Sequence, residues 1–231
     1  MKDEMPKQKA LVSVGIGPQR MLLALAKRTF SPYAERHGYE LLLHSNVPDI
    51  GRPAPWAKIA LLRELVRQYD LLLWLDADVM VVDQSVDIAS ELEPDKFLYL
   101  VEHRYDGTRM PNSGVMLMRG GNQTEAFLDE VWAQSQFVHH KWWENAAVCQ
   151  VLGYAVDPPR PVRETIFSTR TKLISPRWNS IRDAPSPSPR IRHYPGYSLK
   201  TRFAFMVRDL SLTQLRRSRE AAQRRWNGNF T

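Results

Sequence analysis

The stretch of sequence that decides the fold is LLLWLDADVMVV, at residues 71–82. Its first five residues are apolar on both faces, which is typical of a central parallel strand that is covered on both sides. Asp76 and Asp78 follow at the point where this strand ends. Because ligand sites in open α/β sheets form beyond the carboxyl ends of the strands, the two acids lie where a ligand is expected.

The spacing of Asp76 and Asp78 indicates a divalent metal site. Two buried carboxylates this close together are costly unless a cation offsets their charge. Hard carboxylate oxygens suit Mn²⁺ or Mg²⁺ better than zinc, so one of these two ions is the expected cofactor. The alternative is that both acids cap turns at a strand end, which an isolated D-x-D would support about as well. The buried strand in front of them favours the metal.

Strands and helices alternate on both sides of this stretch. Apolar runs predict further strands at residues 10–16, 39–44, 97–101, 113–118 and 172–174. Helical spacing predicts a helix after the first strand and others at residues 56–69, 122–136, 144–152 and about 203–226. We expect Pro32 to open a new turn in the first helix, and Asn122-x-x-Glu125 to cap the third. The alternation predicts an α/β fold with a mostly parallel sheet.

The composition is that of a globular domain. With 231 residues, of which 43% are hydrophobic, the chain can bury a sizeable core and needs no disulfide, and Cys149 is its one cysteine. No apolar run approaches the roughly 20 residues that a membrane-spanning helix requires. The first nine residues are polar and lead directly into a strand-like run, so the sequence predicts a cytoplasmic protein without a signal peptide.

The positive charge is concentrated at the end of the chain. Of the net charge of +7, residues 200–231 carry +6, from eight Lys and Arg against two Asp and Glu. We therefore divide the chain into a body at residues 1–200 and a basic helical extension at residues 201–231. A local basic segment fits peripheral contact with an anionic membrane, here the inner face, or contact with a partner or with an acidic patch of the body. A solvated helix end is the further alternative. Nucleic acid is not an expected partner, because no nucleic-acid-binding motif is present.

Several motifs, taken in order, resemble a known family. They are Trp56-x-Lys58, YDLLLWLDADVMV at 69–81, PNSGVMLMR at 111–119, WWENAAV at 142–148, WN at 178–179 and HYPG at 193–196. Together they look like a GT-A glycosyltransferase of the galactosyl-, xylosyl- and mannosyltransferase family, which includes yeast α-mannosyl and plant xyloglucan xylosyl enzymes. The glycogenin-like family comes second. The resemblance implies a Rossmann-like α/β/α sandwich with a C-terminal helical extension.

The resemblance assigns the metal ligands. Asp76 and Asp78 match the family motif that holds the metal and the ribose of the donor, and His193 matches the late metal-ligand histidine. The glycine three residues after that histidine lets the backbone approach phosphate closely. On its own, a single histidine is more often a plain surface or core residue. The two aspartates make His193 the favoured third ligand.

The resemblance also assigns a donor site. Lys58 matches the lysine of the family's W-x-K motif, which resembles a phosphate-binding point charge, although a solvated helix face explains it equally well. The N-S-G segment that lines the donor sugar matches Asn112, Ser113 and Gly114, for which a turn entering a strand is the alternative. Gly15, where the first strand turns into a loop, is assigned to the donor as well. Lys200 takes the place of a family lysine that lies closer to the histidine.

Glu144 and Asn145 are the candidate catalytic residues. They begin a helix where related enzymes carry an acid and an amide, and an oxygen beside the anomeric carbon stabilises positive charge developing there. Helix capping is the alternative explanation, since acids favour the first turn of a helix. The pattern leaves open which of the two faces the sugar. Trp142 and Trp143 in front of them would form either a sugar-stacking platform or part of the core.

The activity implied by the resemblance is metal-dependent transfer of a hexose or pentose from a nucleotide-diphosphate sugar to a hydroxyl acceptor, with retention. A UDP-sugar is favoured as donor, GDP-mannose is the second choice, and the acceptor is a saccharide or another hydroxyl compound. A sugar-nucleotide pyrophosphorylase would need a Gly-rich phosphate loop, of which residues 15–20 are a poor version. A non-catalytic nucleotide- or partner-binding module would bind nucleotide without metal. The sequence does not indicate the oligomeric state.

Overall fold

The computed structural model describes residues 8–105 and 107–228, except for the side chains of residues 216, 217 and 219–228. The helices are α1 (Arg20–His37), α2 (Ala57–Leu65), α3 (Asn122–Ala133), α4 (Trp143–Val151) and α5 (Leu199–Gly228). The strands of the main sheet are β1 (Lys9–Val14), β2 (Glu40–His44), β3 (Leu71–Leu75), β5 (Leu98–Tyr105), β6 (Thr108–Arg119) and β9 (Thr171–Leu173). The remaining strands are β4 (Val79–Val81), β7 (Tyr154–Val156), β8 (Pro159–Pro161), β10 (Ser180–Ile181) and β11 (Ile191–His193).

The main sheet is mixed, with a majority of parallel pairs. Its strand order is β2-β1-β3-β6-β5-β9. The pairs β1–β2, β1–β3 and β5–β9 are parallel, whereas β6 is antiparallel to both of its neighbours. A small second sheet, β10-β11-β4, packs beside it. The predicted α/β fold with a mostly parallel sheet is confirmed.

The core lies on both faces of β3, at the centre of the sheet. Leu71, Leu73 and Leu75 point into one apolar cluster, which α1 and α5 cover. Leu72 and Trp74 point into a second cluster, which α2, α3 and α4 cover. Alternate residues of one strand therefore serve opposite cores, which is why the segment carries no polar residue before Asp76.

Two predicted local features are wrong. Pro32 lies inside α1 and does not open a new turn, because Phe30 and Tyr33 on either side of it are held in the core. The third helix is capped by Gly121, with φ 117°, and not by Asn122. The carboxylate of Glu125, which the capping pattern would direct at the backbone, instead binds Arg67 at 2.8 Å.

The hairpin β5–β6 is longer than the apolar runs predict. The two strands pair from Tyr105 and Thr108 onward, with an irregularity in register between Tyr99 and Val101. Residues 111–114, PNSG, therefore belong to β6 itself. The alternative explanation of this segment as a turn entering a strand is wrong.

Helix α5 closes the side of the sheet that α1 covers. Met206 and Leu210 are buried in the core, while Phe203, Leu212 and Leu215 are exposed. Buried Asp209 accepts hydrogen bonds from Arg192, at 2.7 Å, and from Tyr194. Five arginines of the predicted basic extension, at 216, 217, 219, 224 and 225, lie outside the described side chains. Nowhere in the described part of the chain is a helix both long and apolar enough to cross a membrane.

Candidate active site

A cavity of about 810 Å³ opens beyond the carboxyl end of β3, and predicted site residues from five parts of the chain line it. They come from α2, the end of β3, β6, the start of α4 and the segment from β11 into α5. The lining includes most of the predicted site residues, namely Lys58, Asp76, Asp78, Asn112, Ser113, Gly114, Glu144, Asn145 and His193. The sequence motifs, which are up to 135 positions apart, thus meet at one site.

Asp76 and Asp78 occupy the turn between β3 and β4. The backbone N–H of Asp76 donates to Gly114 O at 2.9 Å, and the side chain of Asp76 accepts from Trp74 Nε1 at 2.6 Å. Asp78 is buried, and its Oδ2 accepts from Arg202 at 3.0 Å. Burial alone would raise the pKa of Asp78, but the charges of His193 and Arg202 outweigh it and lower this pKa to about 2. Asp78 is therefore a carboxylate at any physiological pH.

His193 reaches the same turn from β11. Its Nε2 lies 3.5 Å from Asp78 Oδ1 and 3.9 Å from Asp76 Oδ2. The imidazole rests directly on Gly114 of β6, where a Cβ atom would lie 2.1 Å from His193 Cε1. A glycine at position 114 is therefore required by the approach of the histidine ring.

The three residues form a donor set that could hold a metal ion. One ligand atom from each of Asp76, Asp78 and His193 lies within 4.8 Å of the others. Two carboxylate oxygens and one imidazole nitrogen suit Mn²⁺ or Mg²⁺. This group is the one that the residues described by the structure offer for a metal ion. The predicted ligands are thus brought together, and their chemistry fits the predicted cofactor.

Lys58 lies beneath this group, and its ammonium is enclosed by carboxylates. The side chain is only 3% exposed, and Nζ lies 2.7 Å from Glu144 Oε1 and 2.9 Å from Asp76 Oδ1. Burial alone would lower the pKa of Lys58, but the charges of Asp76 and Glu144 outweigh it and raise the pKa, so the lysine is charged. The explanation of Lys58 as part of a solvated helix face is wrong. Its ammonium connects a metal-ligand candidate with a catalytic candidate.

The structure distinguishes between Glu144 and Asn145. Both amide atoms of Asn145 bind the backbone of β6, because Oδ1 accepts from Ser113 N at 2.8 Å and Nδ2 donates to Pro111 O at 3.4 Å. Glu144 uses only Oε1 for its bonds, to Lys58 and to Ser113 Oγ, among the described residues. Its second oxygen makes no hydrogen bond to another described residue. Asn145 thus joins α4 to β6, whereas one carboxylate oxygen of Glu144 makes no hydrogen bond to another described residue.

The two remaining donor candidates, Gly15 and Lys200, are not among the residues that line the cavity. Gly15 packs where a Cβ atom would meet Leu23 Cβ at 2.8 Å, and its neighbours Val14 and Ile16 line the cavity. Lys200 is exposed on the first turn of α5, while Arg202 from the same turn lines the cavity. The Nε atom of Arg202 is buried and has no hydrogen-bond partner among the described residues.

Trp142 and Trp143 stand at the mouth of the cavity. Trp142 packs on Tyr105, with ring centroids 5.0 Å apart. Trp143 is 44% exposed, and its φ of 43° places a bulky residue in the left-handed region. Such a conformation costs about 1–3 kcal/mol and persists where the surroundings enforce it. Trp143 is thus no core residue, whereas Trp142 is partly buried against Tyr105.

The sequence analysis assigned no role in the site to two of its residues, Arg202 and Asn179. Arg202 lies in a basic segment that suggested surface charge, and Asn179 appears in the sequence only as half of the WN pair. Asn179 is fully buried and contacts His193 and Asn112. The signal that could have found it is a polar amide directly after a tryptophan and directly before the short strand Ser180–Ile181.

Comparison with known proteins shows which family the segment around Asp76 and Asp78 resembles. Residues 21–102, which include Lys58, Asp76 and Asp78, match the model of the galactosyl transferase GMA12/MNN10 family. Over 67 residues the chain is 36% identical to an uncharacterized alpha-1,2-galactosyltransferase of Schizosaccharomyces pombe. The match covers 26% of this chain and 18% of that protein, so the chain spans under a fifth of the length of the curated relative. These names confirm the predicted resemblance for the matched segment.

Solved structures share the fold over most of the chain. A glycosyltransferase involved in glycosylation of the major capsid of PBCV-1 aligns with a TM-score of 0.67 at 18% identity, covering 86% of this chain and 98% of that one. GlyE of Streptococcus pneumoniae aligns with a TM-score of 0.54 at 15% identity, covering 89% and 63%. The galactosyltransferase LgtC aligns with a TM-score of 0.50 at 12% identity, covering 85% and 94%. The GT-A fold is thereby confirmed.

Proposed function

We propose that this protein is a metal-dependent glycosyltransferase that moves a hexose or pentose from a nucleotide-diphosphate sugar to a hydroxyl of a saccharide or other acceptor, with retention. A UDP-sugar is the favoured donor, ahead of GDP-mannose. The observation that carries the proposal is the meeting of Asp76, Asp78 and His193 in the same cavity as Lys58 and Glu144. An anionic donor needs a metal ion of the kind that Asp76, Asp78 and His193 could hold. A transition state with positive charge at the anomeric carbon needs a carboxylate such as that of Glu144.

Asp76, Asp78 and His193 would hold Mn²⁺ or Mg²⁺. As a Lewis acid, the ion would offset the negative charge that develops on the departing diphosphate. Arg202 lines the cavity, where its guanidinium binds Asp78 at 3.0 Å, and is therefore better placed than the exposed Lys200 to donate to a phosphate oxygen. A guanidinium also has the planar donor fork that suits phosphate.

Glu144 is our candidate for the residue that faces the anomeric carbon. Its Oε1 is held by Lys58, so the orientation of the carboxyl group is fixed before the donor binds. An oxygen fixed in this way stabilises positive charge without reorganisation during the reaction. Asn145, fastened to β6, would position Asn112 and Ser113 along the donor sugar.

The first test is a screen of sugar nucleotides for hydrolysis without acceptor, in the presence and absence of Mn²⁺. We expect one donor to be hydrolysed, with turnover that depends on the metal and is lost with EDTA. Released nucleoside diphosphate is the readout, and sugar nucleotides of other bases and sugars serve as matched controls. Nucleotide binding that is independent of metal, with no turnover of any donor, would favour the non-catalytic module. Formation of sugar nucleotide from sugar phosphate and a nucleoside triphosphate would favour the pyrophosphorylase.

We further propose that α5 holds the enzyme peripherally on an anionic membrane. Phe203, Val207, Leu212 and Leu215 are exposed apolar residues on this helix, and five arginines follow in the sequence. Basic residues close to an anionic surface contribute about 1 kcal/mol each. The proposal would place the enzyme beside a membrane-bound acceptor, whereas a solvated helix end would leave these residues without a ligand.

Sedimentation with anionic liposomes tests the membrane proposal. We expect binding at low salt, loss of binding at high salt because the attraction is screened, and loss on truncation after Leu215. Neutral vesicles of the same size are the control. If the full chain stays in the supernatant with anionic vesicles at low salt, α5 is structural only.

A further inference from the structure

Asn179 lies at the centre of a buried chain of hydrogen bonds behind the candidate metal site. It follows the short 3-10 turn Pro176–Trp178 and is fully buried. Its Oδ1 lies 3.0 Å from His193 Nδ1, and its Nδ2 donates to Asn112 Oδ1 at 2.9 Å. One side chain thus joins the predicted metal-ligand histidine to a residue of the predicted donor site.

One backbone group determines which atom is donor and which is acceptor in each of these hydrogen bonds. The N–H of Gly114 can only donate, and it donates to Asn112 Oδ1 at 2.9 Å. The atom of Asn112 at this position is therefore the carbonyl oxygen, an acceptor, and the Asn179 atom that meets it must be the amide nitrogen. The remaining polar atom of Asn179, which faces His193, is then its carbonyl oxygen.

The tautomer of His193 follows by the same logic. Because the carbonyl oxygen of Asn179 only accepts, His193 Nδ1 must carry the hydrogen. In a neutral imidazole the other nitrogen, Nε2, then carries the lone pair. This is the nitrogen that lies 3.5 Å from Asp78 and 3.9 Å from Asp76.

We infer that Asn179 is a positioning residue that fixes the Nδ1–H tautomer of His193 and directs its Nε2 lone pair to the metal site. The inference deepens the proposed function and rests on it for the metal. A histidine that binds a metal commonly donates its other ring N–H to an oxygen, which fixes both tautomer and ring orientation. Gly114 adds to the effect, since its missing side chain gives the ring its place against β6.

The same bonds tie the metal ligand to the donor site. Asn112 Oδ1 accepts from Gly114 and from Asn179 at once, so a displacement of either amide disturbs both ends of the chain. All three side chains, of Asn112, Asn179 and His193, are at most 6% exposed, so water offers little replacement for a lost bond.

The tautomer is measured directly in the metal-free full-length protein. We expect ¹⁵N-histidine NMR at pH 8 to show His193 protonated on Nδ1, with its signals assigned by their absence in His193→Gln. A His193 ring whose Nδ1 carries no hydrogen would overturn the inference, whether or not Nε2 is protonated. This measurement needs neither metal nor donor, so its outcome is separate from that of the sugar-nucleotide screen.

The variant Asn179→Ala tests the consequence for metal binding. We expect the fixed tautomer to be lost and Mn²⁺ affinity, measured by electron paramagnetic resonance of the free ion, to fall by roughly 10–100-fold. The control is Asn122→Ala, which removes an exposed amide on α3 and should leave the affinity unchanged. A folded Asn179→Ala protein that keeps the tautomer and binds Mn²⁺ within twofold of the parent would overturn the inference. If that variant does not fold, the parent spectrum alone decides.

Discussion

Replacing Lys58 with methionine is expected to lower the free energy of unfolding by roughly 3–5 kcal/mol. The substitution removes the ammonium but leaves Glu144 buried and Asp76 beside it, so two carboxylates lose their shared counter-charge. An uncompensated buried charge is far more costly than the net value of the pair that contained it. Urea unfolding followed by circular dichroism measures the change.

Two further variants identify the cause of this loss. In Lys58→Met/Glu144→Gln the buried charge is gone together with its partner, so we expect most of the stability to return. In Arg63→Met, the matched control on α2, the lost pair with Asp129 is exposed and should contribute about 0–1 kcal/mol. If the double variant is no more stable than Lys58→Met, the loss comes from packing of the lysine stem, and the account of Lys58 as counter-charge is wrong.

The position of the site could be predicted from local sequence, because β3 and its two aspartates are adjacent in the chain. A strand buried on both faces must be apolar throughout, and the acids mark its end. The ends of β5 and β6 could not be predicted in this way. Their pairing over Tyr105 and Thr108 depends on the partner strand, which no local pattern contains.

The partners of the site residues were the least predictable part. Lys58 has the spacing of an ordinary helix residue, and only the approach of Glu144, 86 positions away, makes it a buried cation. The same holds for Arg202, which meets Asp78 across 124 positions. Residue type indicates which chemistry is available, but the pairing of charges depends on tertiary packing. Motifs therefore predicted the residues of the site better than their roles.

Replacing Asp78 with asparagine is expected to lower metal-dependent turnover by at least about 100-fold. A bound metal contributes several kcal/mol to stabilising charge in a transition state, and each 1.4 kcal/mol is about tenfold in rate. Asp78 is ionised because His193 and Arg202 lower its pKa to about 2 despite its burial. Asparagine keeps the shape and removes the charge, so the metal would lose the more buried of its two carboxylate ligands and Arg202 would lose its partner.

The experiment is a Mn²⁺ titration of donor hydrolysis by the parent, Asp78→Asn and Asp129→Asn. The last variant removes a half-exposed carboxylate from α3 and should behave like the parent in its metal dependence. If Asp76 and Asp78 bind the metal, the Asp78→Asn variant should need far more Mn²⁺ than the parent or lose turnover altogether. Its circular dichroism spectrum should be preserved. The turn-capping reading instead requires a lower unfolding temperature with an unchanged Mn²⁺ dependence of the remaining activity. Near-normal turnover of Asp78→Asn at low Mn²⁺ would therefore leave the two acids as structural caps, because a ligand that can be removed without changing the metal requirement does not hold the metal.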